Sequence, residues 1–159
     1  MAKRCIYTDA DGLVHQLMPA YSDRTRPAGM TDDEFYEYIV AKDLPAGIST
    51  YYTIDDSAAP SDRTFRDAWE ISSEEIVVNM TKARAIHLEQ IRRVRNAELV
   101  KEDITFMRAV EAGDTDTQAT IATKKQVLRD IPATFDITTG VDTPEKLKAK
   151  WPTELPDRE

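Results

Sequence analysis

NMTKARAIHLEQIRRVRNAELVKEDITFMRAVEA at 79–112, GDTD at 113–116 and TQATIATKKQVLRDI at 117–131 form the stretch that decides the fold. Neither proline nor glycine occurs from Asn79 to Ala112. Gly113, Asp114, Thr115 and Asp116 then break the pattern, and Gln118 to Ile131 resumes helical composition. Pro132 stops it, because proline lacks the amide that a helix interior needs. The reading is an antiparallel helical hairpin over 79–131. Leu99, Val100, Ile104, Met107 and Val110 make an apolar stripe on the second half of the long helix. Ile121, Leu128 and Ile131 make one on the returning helix, and the two stripes are expected to zip together near the turn. The first half carries Ile86, Leu88, Ile91 and Val94, interrupted by Arg92, Arg93 and Arg95. That half is left to meet the head or a partner.

Upstream, Cys5–Thr8 and Leu13–Met18 flank Asp9-Ala10-Asp11-Gly12. The Asp-Gly step suits a tight turn with positive φ, so a β-hairpin is predicted. Residues 19–30 read as loop. Thr31-Asp32-Asp33-Glu34 is a capping box that opens a helix carrying Phe35, Tyr38 and Ile39, closed by Leu44-Pro45-Ala46-Gly47. Ile48–Ile54 is β-branched and aromatic and reads as a strand. Phe65 and Trp69 at i and i+4 predict a short helical turn over 62–69 that packs on the head. Ile76-Val77-Val78 reads equally as a strand or as the first turn of the long helix, whose cap is assigned to Asn79.

Downstream, Thr143 caps a last short helix over 143–150 with Pro144 at its first position. Trp151-Pro152 ends it, and Pro156–Glu159 reads as frayed unless bound. The expected organisation is an α+β head at 1–70, a long antiparallel helical hairpin at 79–131 and a tail at 132–159.

The 159 residues carry a formal charge of −8, with 31% charged and 41% hydrophobic residues. That composition suits a water-facing globular chain with a modest core. An acidic balance argues against a surface built for phosphate backbones, whose affinity comes from Lys and Arg. The single cysteine, Cys5, excludes an intrachain disulfide. Met1–Arg4 leads into Tyr7, Asp9 and Asp11 instead of an apolar core, so no signal peptide is read. No apolar run reaches the ~20 residues that a membrane-spanning helix needs.

Chemistry is sparse. His15 and His87 stand outside any metal-ligand spacing and read as structural or surface residues. Cys5 reads as a small buried hydrophobe, with a Cys5–His15 dyad across the hairpin as the weaker option. Asp9-Ala10-Asp11-Gly12 lacks the remaining ligands of a calcium loop. All five glycines are isolated, so no phosphate-binding loop exists. Arg92, Arg93 and Arg95, with Lys82 and Arg84 upstream, are thin as a nucleic-acid footprint and read as a salt-bridged face using Glu89 and Glu98. A docking patch for an acidic partner is the alternative. No catalytic residue, metal or cofactor is assigned.

Several strings carry a family likeness. They are KDLPAG at 42–47, PSDRTFRDAWE at 60–70, NMTKARAIH at 79–87 and KQVLRDIP at 125–132, closed by TPEKLK at 143–148 with Trp151-Pro152. The layout resembles the C-terminal region of tail and tail-fibre assembly chaperones of tailed bacteriophages and prophages, over about residues 31–152. The first thirty residues, with their hairpin, lie outside the likeness. The resemblance implies a non-enzymatic tail-associated assembly or adaptor protein that binds a larger tail, tail-fibre or other virion protein, with self-association as a further option. Neither nucleic acid nor membrane is read as a partner, on the acidic charge and the short apolar runs given above. The resemblance implies work in the host bacterial cytoplasm during assembly, and residence in the virion tail for proteins that stay bound. The alternative is a permanent structural virion component such as a fibre-anchoring, baseplate or head-decorating subunit. An early phage protein that binds a host factor comes third. The residues assigned to partner binding are Ile86, Ile91, Arg92, Arg95 and Trp151.

Overall fold

In the computed structural model, residues 2–158 are described apart from Asp23 and Thr25. The fold is α+β, and the chain divides into two compact units, Met1–Asn79 and Met80–Glu159.

The first unit is built around β1 (Lys3–Thr8). Strand β2 (Val14–Leu17) pairs antiparallel on one edge and β3 (Tyr51–Asp55) on the other, giving the order β2-β1-β3. The Asp-Gly turn forms as expected. Gly12 takes φ +79°, and one carboxylate oxygen of Asp9 accepts from the amides of Asp11 (3.0 Å) and Leu13 (2.8 Å). Alternation along β1 sends Cys5 and Tyr7 to one face of the sheet and Arg4, Ile6 and Thr8 to the other.

Helix α1 (Asp32–Asp43) covers the Cys5 face, where Tyr36 and Val40 join Cys5 in a buried cluster edged by Tyr7, Leu17 and Leu44. The Tyr36 and Thr53 hydroxyls meet at 2.7 Å, which satisfies a phenol that burial would otherwise leave bare. The capping box is present: Thr31 Oγ1 accepts from the Glu34 amide and Glu34 Oε2 accepts from the Thr31 amide at 2.8 Å. Of the loop expected at 19–30, Asp23 and Thr25 lie outside the described residues. Arg26 ties its end to α1, donating to Asp32 Oδ1 at 2.7 Å.

Ile6, Val14 and Ile54 are buried on the opposite face. Strand β4 (Trp69–Ser72) lies against β1 and β2 and pairs antiparallel with β5 (Glu75–Val78). This corrects one expectation and decides an open one. The helical turn over 62–69 shrinks to a 3-10 turn at Arg66–Ala68, with Trp69 already in β4, and Ile76–Val78 is strand. The connecting residues are Ser73 and Glu74, at φ +52° and +64°. Positive φ at both central positions suits the twist of a tight hairpin, a job that usually falls to Asn-Gly or Asp-Gly. Ser-Glu gives no such signal. An L-residue in this region costs roughly 1–2 kcal/mol. Glu74→Gly should therefore raise stability by about 1 kcal/mol in a denaturant titration, and an unchanged or lower midpoint would contradict this turn.

The second unit holds α2 (Met80–Ala112), α3 (Thr115–Thr134) and α4 (Pro144–Ala149). Helix α2 starts directly after Asn79. It ends in a Schellman arrangement: the Asp114 amide donates to Ala109 O (2.9 Å), the Gly113 amide donates to Val110 O (3.1 Å), and Gly113 takes φ +67°. Asp114 then caps α3, accepting from the Thr117 hydroxyl at 2.6 Å and from the Thr117 amide at 3.0 Å, and these bonds hold its carboxyl below the usual range. Contacts between the helices step in opposite directions along the two chains. Gln118 donates to Ala109 O, the Lys124 ammonium meets Glu102 at 2.5 Å, and Arg95 donates to Arg129 O. Packing is antiparallel.

The seam is not the expected one. Ile121, Leu128 and Ile131 of α3 are buried, but opposite them stand Glu102, half-buried Phe106 and Ala109. Lys125 pairs with Asp103 and lays its ammonium over the Phe106 ring at 5.1 Å. The Val100, Ile104, Met107 and Val110 stripe is exposed at 60, 51, 56 and 45%. The reason lies in the turn. The Gly113 reversal fixes which flank of α2 receives α3, and it selects the flank that contains small Ala109, not the one richest in apolar atoms.

Two further expectations change. Helix α3 passes through Pro132 to Thr134. A proline this near the end sacrifices one main-chain bond, and the Phe135 amide still reaches Ile131 O at 2.9 Å. The residues after α4 are also held: Pro152 and Leu155 are buried and Trp151 Nε1 donates to Pro156 O at 2.9 Å. Glu159, at the end read as frayed, lies outside the described residues. Helix α4 forms as expected, with Thr143 Oγ1 accepting from the Lys146 amide, and Leu147 is fully buried.

Candidate protein-binding face

Helix α2 presents different faces along its length because its neighbours change. Near its start, α4 lies against it, and Ala83, His87 and Ile91 are buried at i, i+4, i+8. Farther on, α3 takes the flank of Glu102, Phe106 and Ala109. That leaves Val100, Ile104 and Met107 on a line turned away from the seam, with Val110 beside it. At 100° per residue Lys101 and Arg108 fall together on one flank of this line, and Asp103, paired to Lys125, falls on the other. Lys101 also reaches Glu98 at 2.6 Å.

The five residues assigned from the sequence are dispersed. Ile91 is 0% exposed, so it belongs to the core of its own unit and cannot serve as an exposed partner contact. The i, i+4, i+8 row that contains it reads as continuous only once His87 is counted as a core residue. Ile86 and Arg92 share a shallow groove with Leu88, Glu89, Gln90 and Arg93. Arg92 is ion-paired to Glu89 along the helix. Arg95 turns toward α3, and its buried Nε has no hydrogen-bond partner among the described residues. Trp151 is half-buried, edge-on to His87 with ring centres 5.8 Å apart. Only Ile86 and Arg92 are brought together. The stripe from Val100 to Val110 was visible in the sequence and assigned to the wrong side of the helix.

The groups with potential chemistry have structural partners. Cys5 pairs across the sheet with Leu17 while His15 pairs with Tyr7, so the dyad considered above does not assemble. Burial pushes the Cys5 thiol up to about 11, which keeps it protonated at neutral pH. His15 Nε2 meets Asp9 Oδ2 at 2.6 Å and stacks on Tyr7. The Asp9 carboxyl lies below its usual range, chiefly through the Leu13 amide and then through His15. A shallow depression on the first unit is lined by Thr8, Ser49, Thr50 and Tyr52, with no His, Cys, Asp, Glu, Lys or Arg among its lining residues. Among the described residues, no three His, Cys, Asp or Glu side chains gather as a metal ion would require, and no helix is long and apolar enough to cross a membrane.

The fold and this face define an α+β protein carrying a long helical hairpin with an open apolar stripe. No family model matches the chain, and neither does any curated protein or solved structure.

Proposed function

We propose that this chain is a non-enzymatic binding protein that holds a larger polypeptide through its helical hairpin, and that the held polypeptide is a bacteriophage tail or tail-fibre component. The observation behind the first half is the open stripe of Val100, Ile104, Met107 and Val110, four large apolar residues at helical spacing left in water. Contiguous exposed apolar surface on a protein is the usual mark of an interaction site. The phage setting rests on the sequence likeness over about residues 31–152.

The stripe fits an amphipathic helix laid along α2. Val100 to Val110 spans about 15 Å at 1.5 Å per residue, so the partner helix would offer apolar residues over roughly three turns. Lys101 and Arg108 on one flank favour acidic residues on the matching side of the partner. Charge there would set orientation and encounter rate more than affinity.

The double variant Ile104→Lys/Met107→Lys tests the reading. Both positions are exposed, so the fold should tolerate lysine, a good helix former. Capture of phage tail proteins from infected cells should fall at least tenfold, a loss of about 1.4 kcal/mol. Undiminished capture by a variant that melts like the parent removes the stripe as the site. Mass spectrometry of purified particles separates a helper that departs from a subunit that stays.

A further inference from the structure

Strand β3 ends the sheet of the first unit with its outer side open: the order is β2-β1-β3, and among the described residues nothing pairs beyond β3. The pairing fixes which main-chain groups point outward. The Asp56 amide donates to Ala2 O at 2.9 Å, so Asp56 faces β1, and by the two-residue alternation Ile54 and Tyr52 do too. Tyr51, Thr53 and Asp55 therefore turn their N–H and C=O groups away from β1. All three residues are exposed. The far side of β1 agrees with this phase. Lys3, opposite Asp55, directs both its amide and its carbonyl to the Tyr21 hydroxyl at 2.9 Å, away from β3. Open edges are usually blunted by lysine, proline or a bulge. Tyr51–Asp55 contains neither lysine nor proline, and its register with β1 runs unbroken.

We propose that β3 is a self-association edge: it pairs antiparallel with β3 of a second copy about a two-fold axis at Thr53, joining the two sheets into one. Thr53 then exchanges both main-chain bonds with Thr53 of the second copy, and Tyr51 does the same with Asp55 on either side of the axis. No like charges face each other in this register, because Asp55 lies opposite Tyr51. A centre on Asp55 would bring the two carboxylates together. A centre on Tyr51 would leave Thr53 and Asp55 opposite Ser49 and Gly47, outside the strand. On the other face Tyr52 meets Ile54 of the second copy, an aromatic and β-branched pair of the kind that steadies sheets.

The surroundings leave room for the second copy. Helix α1 packs chiefly on β1, and β4 packs on β1 and β2 from the opposite face. In the joined sheet three strand spacings, about 14 Å, separate the two β1 strands. Packed helices need only about 8–10 Å between their axes, so the two copies of α1 lie side by side without collision. The other edge of the sheet offers less, since β2 has four residues and Pro19 follows shortly after Leu17. Pairing along the five residues of β3 is small against the roughly 800 Å² per partner of a standard interface, so the dimer is weak and depends on concentration. The edge shares no residue with the open stripe of α2, and either surface stands without the other.

The test uses the full chain. Sedimentation equilibrium at rising concentration should show the mass climbing from 18.0 kDa toward twice that value. Amide exchange should split the strand into two sets. Tyr52 and Ile54, bonded to β1, should be protected at every concentration. Tyr51, Thr53 and Asp55 should gain protection as the dimer fills, about tenfold when about nine chains in ten are paired. Asp55→Pro removes an outward N–H at a residue whose φ of −68° already suits proline, after an extended Ile54. That variant should sediment as a monomer while the amides of β1 and β2 stay protected. If it does not fold, the exchange pattern of the parent decides alone. A chain that stays monomeric up to about 1 mM would overturn the proposal. So would a dimer in which Tyr51, Thr53 and Asp55 exchange freely, or one that survives in folded Asp55→Pro. A dimer abolished by Ile104→Lys/Met107→Lys would place the contact on α2 and overturn it as well.

Discussion

Leu128→Asp should destabilise the helical unit by about 3 kcal/mol, the largest effect expected of any single change on α3. Leu128 is 2% exposed in the seam with α2, and a carboxylate there must either remain charged without water or be neutralised at a cost. The informative comparison is Met107→Lys on the facing helix. A hairpin zipped along its most apolar stripe would make the two changes equally damaging. With Met107 exposed, the lysine variant should melt within about 0.5 kcal/mol of the parent. Arg92→Glu should be similarly quiet, because its partner Glu89 is a surface neighbour and such pairs contribute little. Chemical denaturation of the three variants decides the matter. A Leu128→Asp protein that melts like the parent, or a Met107→Lys protein that melts as low as it, would mean that α3 lies on another face of α2.

Leu147→Ala is the second large effect, at about 3 kcal/mol, because truncating a buried leucine loses transfer energy and leaves a cavity. Helix α4 has six residues, too few to persist alone. Its order depends on its packing against α2 and on Leu147, which is fully buried. A change under 1 kcal/mol in the unfolding midpoint would show that α4 is an ornament on the second unit instead of part of its core.

Local signals in the sequence were read well where a single residue type carries a single geometry. Gly12 and Asp9 give the first hairpin, Thr31 and Glu34 the capping box, Thr143 and Pro144 the start of α4, and Gly113 the break between the long helices. Each acts through its own main chain or the next turn. What was not legible depended on distant neighbours. The β4–β5 hairpin turns on Ser73-Glu74, where the pairing of β4 with β5 holds two ordinary, exposed residues at positive φ. The open stripe escaped because periodicity shows that residues share a face without showing what that face meets. Glu102 and Lys125 look like surface charges in a string, yet they line the seam. His87 was read as structural, but its partners lie 63 and 71 residues away, and no spacing rule reaches that far.

The seam between α2 and α3 also has a consequence in time. Its contacts join residues 9, 22 and 34 apart, widening steadily from the Gly113 turn. Those that fasten the last segment span 57 to 71 residues. Closing long loops costs more chain entropy than closing short ones, so the hairpin should zip outward from its turn before the last segment docks. Leu147→Ala should then speed unfolding and leave the refolding rate nearly unchanged, whereas Leu128→Asp should slow refolding as well.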